Sequence, residues 1–65
     1  MQIKDYTAPE LDRFRRLCNF TTRERELFDL RASGLSLEAC GEEMDYSTGG
    51  IRYLSGQVKR KMNRV

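Results

Sequence analysis

Residues 34–62 decide the fold of this chain, and they read GLSLEACGEEMDYSTGGIRYLSGQVKRKM. Two serines in this stretch, Ser36 and Ser47, each stand before a run of apolar residues with helical spacing and can cap the start of a helix. The first run is short, and the second extends to about Asn63. The stretch therefore predicts a short helix, a turn of about three or four residues, and a longer helix. The residues expected to face the core are Leu37, Cys40, Gly41 and Met44 in the first helix and Ile51, Leu54, Val58 and Met62 in the second.

Two further helices are predicted before this stretch, and both begin with the same capping chemistry. Thr7 and Glu10 have the spacing of a capping box, and Thr21 and Glu24 repeat it. Gly34 is a typical stop signal for the second of these helices. The residues expected to face the core are Leu11, Phe14, Leu17 and Cys18 in the first helix and Leu27, Phe28 and Leu30 in the second.

The chain as a whole predicts one small all-α domain of four helices. Its 65 residues are 38% hydrophobic and 34% charged, which is typical of a single globular domain of modest stability. No segment alternates as a half-buried strand does, and no run of residues is apolar enough for a membrane span. The start of the sequence has no apolar signal region, so we expect a cytoplasmic protein. Within residues 1–65, we expect an N-terminal helix extension over residues 1–19 and a core over residues 20–64.

Charge is strongly segregated along the chain. Residues 1–20, 21–45 and 46–65 carry net charges of +1, −4 and +5, which add to the total of +2. Lysines and arginines clustered on one surface are typical of proteins that bind nucleic acids. A solvated last helix would give the same pattern without any partner, so charge alone leaves both interpretations open.

Enzymatic chemistry has little support in this sequence. The chain has no histidine, which is the commonest general base and metal ligand. It also has neither the cysteine and histidine spacing of a zinc site nor a glycine loop that would hold phosphates. Cys18 and Cys40 occupy apolar helical positions and are expected to be reduced. We therefore expect no enzymatic activity, no cofactor and no metal.

A short helix, a tight turn and a longer basic helix form the helix-turn-helix pattern, in which the second helix enters the major groove of DNA. Gly41 falls where the two helices cross, and only a small residue fits at such a point. An ordinary helical hairpin has the same periodicity, so the pattern alone does not separate the two.

Residues 20–62 resemble the DNA-binding domain shared by LuxR-type regulators and the fourth region of bacterial sigma factors. The matching motifs are RERE at residues 23–26, GLS at 34–36, GEEM at 41–44, the pair Ile51-Arg52, and KRKM at 59–62. The resemblance covers about two thirds of the chain. It implies a helix-turn-helix domain that binds double-stranded promoter DNA and that, in many members, also contacts RNA polymerase or an activator.

The chain departs from the family pattern in the turn and at the start of the last helix. Asp45 stands where glycine is usual, although aspartate tolerates a left-handed conformation. Residues 48–50, TGG, stand where sigma-like proteins usually present charged residues to bases. Either these glycines let the helix backbone approach a phosphate closely, or the helix starts late, near Ile51, and reads sequence weakly.

The side of the last helix that faces away from its apolar positions carries most of the candidate DNA contacts. Arg52 is the strongest candidate for a base contact because arginine can bond guanine O6 and N7 together. A solvated or ion-paired arginine is the alternative. Tyr53 and Gln57 are weaker candidates, and Lys59 and Arg60 extend the basic surface. Serine and threonine caps can also bind phosphate, although capping alone would explain the two serines. The full set is Ser36, Ser47, Thr48, Arg52, Tyr53, Gln57, Lys59 and Arg60.

The alternative function is a protein-interaction module of the same fold that docks on RNA polymerase, a sigma factor or another regulator with little DNA specificity. The glycines of the last helix and the acidic residues of the second and third helices favour it. LuxR-type domains usually dimerise through one more helix after the recognition helix, and this sequence stops at Val65. We therefore expect a monomer or a weak homodimer.

Overall fold

A computed structural model describes residues 3–65, except for the side chain of Lys4. Over this range the chain forms a short 3₁₀ helix (Ile3–Asp5) and four α-helices, with no strand. The α-helices are α1 (Ala8–Leu17), α2 (Thr22–Ala32), α3 (Leu37–Met44) and α4 (Thr48–Met62). The predicted small all-α domain of four helices is confirmed. None of the helices in this range is long and apolar enough to cross a membrane.

The first two helices begin as the capping boxes predict. The Thr7 hydroxyl accepts a hydrogen bond from the backbone N–H of Glu10, whose carboxylate accepts one from the backbone N–H of Thr7. Thr21 and Glu24 repeat this exchange at the start of α2. Both pairs satisfy backbone donors that a helix start leaves without an intrahelical partner.

The caps of α3 and α4 also lie where the sequence predicts them. The Ser36 and Ser47 hydroxyls each accept a 3.1 Å hydrogen bond from a backbone N–H three residues further on. Helix α4 therefore starts at Thr48, and both glycines of residues 48–50 belong to its first turn. The alternative in which this helix starts near Ile51 is wrong.

Helix α2 ends in a Schellman motif built on Gly34. This glycine has a φ of 104°, and its backbone N–H donates to the carbonyl of Arg31. The N–H of Leu35 reaches back to the carbonyl of Leu30, which completes the motif. The predicted glycine stop is thus confirmed.

Helix α3 ends in the same way, with aspartate in place of glycine. Asp45 has φ 59° and ψ 45°, so it adopts the left-handed conformation expected of it. Its N–H donates to the carbonyl of Glu42, and the N–H of Tyr46 donates to that of Gly41. Only residues 45–47 separate α3 from α4, which confirms the predicted short turn.

The core lies between α2, α3 and α4, and α1 and the 3₁₀ helix cover one side of it. Phe28 is fully buried at its centre, and the rings of Phe14 and Phe20 lie 6.2 and 5.1 Å from its ring. Cys18 and Cys40 are buried as free thiols, and burial raises the pKa of both. The buried apolar residues are Ile3, Cys18, Leu27, Phe28, Cys40, Met44, Ile51, Val58 and Met62.

Helix α1 packs through a narrower face than its sequence predicts. Leu17 was expected in the core but is 49% exposed. The helix contacts the core through Leu11, Phe14 and Cys18, and Leu17 lies outside this line on the helical surface. Arg15 fixes the orientation of α1 by a 2.8 Å ion pair with a carboxylate of α2.

Candidate nucleic-acid interface

Helix α4 presents one continuous exposed face on the side opposite its buried residues. This face carries Gly49, Arg52, Tyr53, Gly56 and Arg60, which follow one another at intervals of three, one, three and four residues. Because residues three and four apart lie on the same side of a helix, these residues line a single surface. We call this surface the α4 face.

The positive charges predicted to bind DNA are not neutralised by the protein itself. Among the described residues Arg15, Arg23 and Lys61 form ion pairs, whereas no described ion pair involves Arg52, Lys59 or Arg60. Arg52, Lys59 and Arg60 are all exposed. Arg52 therefore has no ion-pair partner among the described residues. In the free protein its side chain is solvated.

Lys61 is the exception among the cations of residues 46–65. Its Nζ lies 2.5 Å from a carboxylate oxygen of Glu24 and also donates to the backbone carbonyl of Asn19. Burial would raise the pKa of Glu24, but hydrogen bonds from Lys61 and the Thr21 backbone outweigh it and lower this pKa. The basic surface therefore has one charge fewer than the sequence suggests.

Sequence reasoning missed the burial of Glu24, which is only 6% exposed. We read this residue as a capping-box glutamate, and such residues usually face solvent. A signal was nevertheless present, because Glu24 precedes Leu27 and Phe28 by three and four residues and so shares their buried side of α2.

The remaining candidate residues are helix caps or lie in α4 beside the α4 face. Ser36 and Ser47 are exposed caps whose hydroxyls already accept backbone hydrogen bonds. Thr48 is the first residue of α4 and is exposed, whereas Gln57 is half-buried. Ser36 and Thr48 line a groove of about 630 Å³ between α3 and α4, together with Arg52.

The same groove is also lined by two exposed acidic residues of α3. Glu38 and Glu42 line it together with Thr48 and Arg52 of α4. A phosphate approaching the groove would meet both negative charges as well as the arginine. Within residues 3–65, no acidic or cysteine side chains converge as a metal site would require.

The glycines of α3 and α4 differ in what surrounds them. A methyl group on Gly41 would lie 3.4 Å from the Ile51 side chain and the Tyr46 carbonyl, which is ordinary contact distance, so the crossing of α3 and α4 has room for a small side chain. A methyl group on Gly49 or Gly56 would meet no atom within 4 Å. Packing inside the protein therefore limits the size of a side chain at Gly41, whereas it sets no such limit at the two glycines of the α4 face.

No protein-family model, curated protein or solved structure matches this chain. Its function is therefore inferred from its own residues and their arrangement.

Proposed function

We propose that this protein is a DNA-binding transcriptional regulator of the helix-turn-helix type, in which α4 enters the major groove of double-stranded DNA. The observation that carries the proposal is the α4 face, where Arg52 and Arg60 are exposed and without ion-pair partners in the described chain. Fifteen residues form α4, so the helix is about 22 Å long. The major groove is about 12 Å wide, and it admits an α-helix, whose diameter with side chains is about 10–12 Å.

The resemblance to LuxR-type regulators and sigma factor region 4 supports this proposal. On that reading α2, α3 and α4 are the shared domain, and α1 is an extension that covers its core. RNA polymerase, a sigma factor or another regulator would then be protein partners. A cytoplasmic location and a monomeric or weakly dimeric state belong to the same proposal.

The residues of α4 divide into base-reading and phosphate-binding roles. In this proposal Arg52 bonds a guanine, and Lys59 and Arg60 contact the phosphate backbone. The first N–H groups of a helix lack intrahelical partners and attract anions. Because no side chain stands at Gly49, a phosphate has room to reach these groups.

The roles of Arg52 and the two later cations can be separated by measuring affinity for two kinds of duplex. One is a site selected from random duplexes by the wild-type protein, and the other is random DNA. We expect Arg52→Ala to weaken binding to the selected site by roughly 1–3 kcal/mol, with little effect on random DNA. Lys59→Ala and Arg60→Ala should weaken both by similar factors, because backbone contacts carry no sequence information. Equal losses on both duplexes for Arg52→Ala would rule out its base-reading role.

A second function is favoured by the carboxylates in the groove between α3 and α4. Glu38 and Glu42 oppose phosphate binding at this place, which suits a protein-interaction module better than a DNA reader. On this alternative, α4 docks on RNA polymerase, a sigma factor or another regulator and has little DNA specificity. Failure of the protein to bind duplex DNA at low salt would favour this alternative.

A further inference from the structure

Tyr53 presents an aromatic ring on the α4 face that the protein leaves uncovered. The residue is 70% exposed, against 49% for Leu17 and 45% for Val65. Aromatic contacts within residues 3–65 join Tyr6, Phe14, Phe20 and Phe28, and Tyr53 takes part in none of them. Its ring therefore contributes little to the folded core and is available to a partner.

The positions about one turn before and one turn after Tyr53 on the α4 face are both occupied by glycine. Gly49 lies one turn before it and Gly56 nearly one turn after it on the same side of α4. No atom lies within 4 Å of the position that a methyl group would take on either glycine. Neither of these two residues therefore places a side chain between the Tyr53 ring and a surface that approaches the α4 face.

On the basis of the proposed function, we infer that Tyr53 reads thymine through its C5 methyl group. Base pairs present only their edges in the major groove, so an aromatic ring cannot stack on them while the duplex is intact. Those edges consist of hydrogen-bonding atoms apart from the thymine methyl, which is the apolar group that distinguishes one base there. Among the base edges of the groove, this methyl group is the apolar surface that the Tyr53 ring can cover and remove from water.

The position of Arg52 adds a geometric constraint to this inference. Successive residues of an α-helix are about 100° apart around its axis, so Arg52 and Tyr53 point to neighbouring parts of the groove. If Arg52 bonds a guanine, the thymine contacted by Tyr53 lies within a base pair or two of it. The preferred site should therefore contain a thymine close to a guanine.

Replacement of single thymines by deoxyuridine tests the inference, because it removes the methyl group and keeps the base pair. The wild-type protein is titrated against its selected duplex and against copies with one thymine replaced at a time. We expect about fourfold weaker binding at one position, which corresponds to the loss of one buried methyl group. Tyr53→Phe should keep this fourfold difference, and Tyr53→Ala should bind both duplexes equally. Thermal unfolding of both variants should match the wild type, because the side chain is exposed.

Three outcomes overturn the inference. The first is wild-type binding that no thymine replacement weakens, and the second is a thymine dependence that survives in Tyr53→Ala. The third is Tyr53→Phe binding the selected duplex more weakly and no longer distinguishing thymine from uracil, which would assign the role to the hydroxyl. Each of these leaves duplex binding itself intact, whereas the absence of any duplex binding would overturn the proposed function as well.

Discussion

Gly56 weakens α4 at its centre without any packing requirement for glycine. It is exposed, lies well inside the helix and has open space where a side chain would stand. Alanine is more favourable than glycine inside a helix by roughly 1 kcal/mol. We therefore expect Gly56→Ala to raise the free energy of unfolding by about this amount, measured by urea denaturation.

The same substitution at Gly34 provides a control with the opposite sign. Gly34 has a φ of 104°, where a side chain is strained, so Gly34→Ala should lower the stability. A Gly56→Ala variant that is no more stable than the wild type would contradict the assignment of a free helical position. If stability rises while affinity for DNA falls, the backbone of α4 approaches the duplex at this glycine.

Single residues were predictable where their role depends on neighbours in sequence. The four helix caps and the left-handed Asp45 follow from side chains within about three residues, and all of them were predicted. The prediction that Leu17 lies in the core was wrong, and the burial of Glu24 was not predicted, because the exposure of both residues depends on which helix lies against them. The spacing of apolar residues indicates which side of a helix packs against the core, but it does not give the number of residues on that side that become buried.

At the scale of the elements, one ion pair connects the start of α2 to the end of α4. Lys61 of α4 bonds a carboxylate oxygen of Glu24 and the carbonyl of Asn19, just before α2. The Glu24 carboxylate also accepts the backbone N–H of Thr21, so it caps α2 and binds α4 at once. These contacts hold the C-terminal half of the proposed recognition helix in place.

Removal of Lys61 should therefore destabilise the protein although the residue is partly exposed. Lys61→Met leaves the buried carboxylate without its charged partner, which costs roughly 1–3 kcal/mol. Adding Glu24→Gln to Lys61→Met should recover part of this loss, because no buried charge then remains unpaired. Urea denaturation of the two single variants and the double variant measures this coupling, and additive effects would contradict it.

The pair also predicts a specific dependence of stability on acid. The pKa of Glu24 in the folded protein lies below its ordinary value of 4.5, so the unfolded chain binds more protons between the two values. Its contribution to stability is therefore present above about pH 4.5 and is lost as the pH falls through the lowered pKa. Glu24→Gln should lack this part of the acid dependence.

Elements were predictable where they are long enough to show a period. All four α-helices, their order and the short turn before α4 follow from the sequence. The 3₁₀ helix Ile3–Asp5 was not predicted, because three residues carry no periodic signal, yet its Ile3 side chain is buried in the core. The groove that Glu38 and Arg52 both line was also missed, since it depends on how α3 crosses α4.

At the scale of the whole molecule, segregation of charge matters more than its total. The net charge of +2 is too small to attract DNA strongly by itself. Glu38, Glu42 and Glu43 are exposed on α3, whereas Lys59 and Arg60 are exposed on α4. This separation between the acidic residues of α3 and the C-terminal half of α4 orients the molecule as it approaches a polyanion and directs that half of α4 towards it.

The salt dependence of binding to a random duplex tests most directly the claim that α4 binds DNA. Each phosphate contact contributes about −0.9 to the slope of log affinity against log salt. Between about 50 and 200 mM salt we expect a slope of roughly −2 to −3, set mainly by the free cations of α4.

The double variant Lys59→Ala with Arg60→Ala should make this slope shallower by about 2. A matched double variant, Arg16→Ala with Arg25→Ala, removes two exposed charges from α1 and α2 and should leave the slope unchanged. No binding at the lowest salt, or the same slope in both double variants, would contradict the claim.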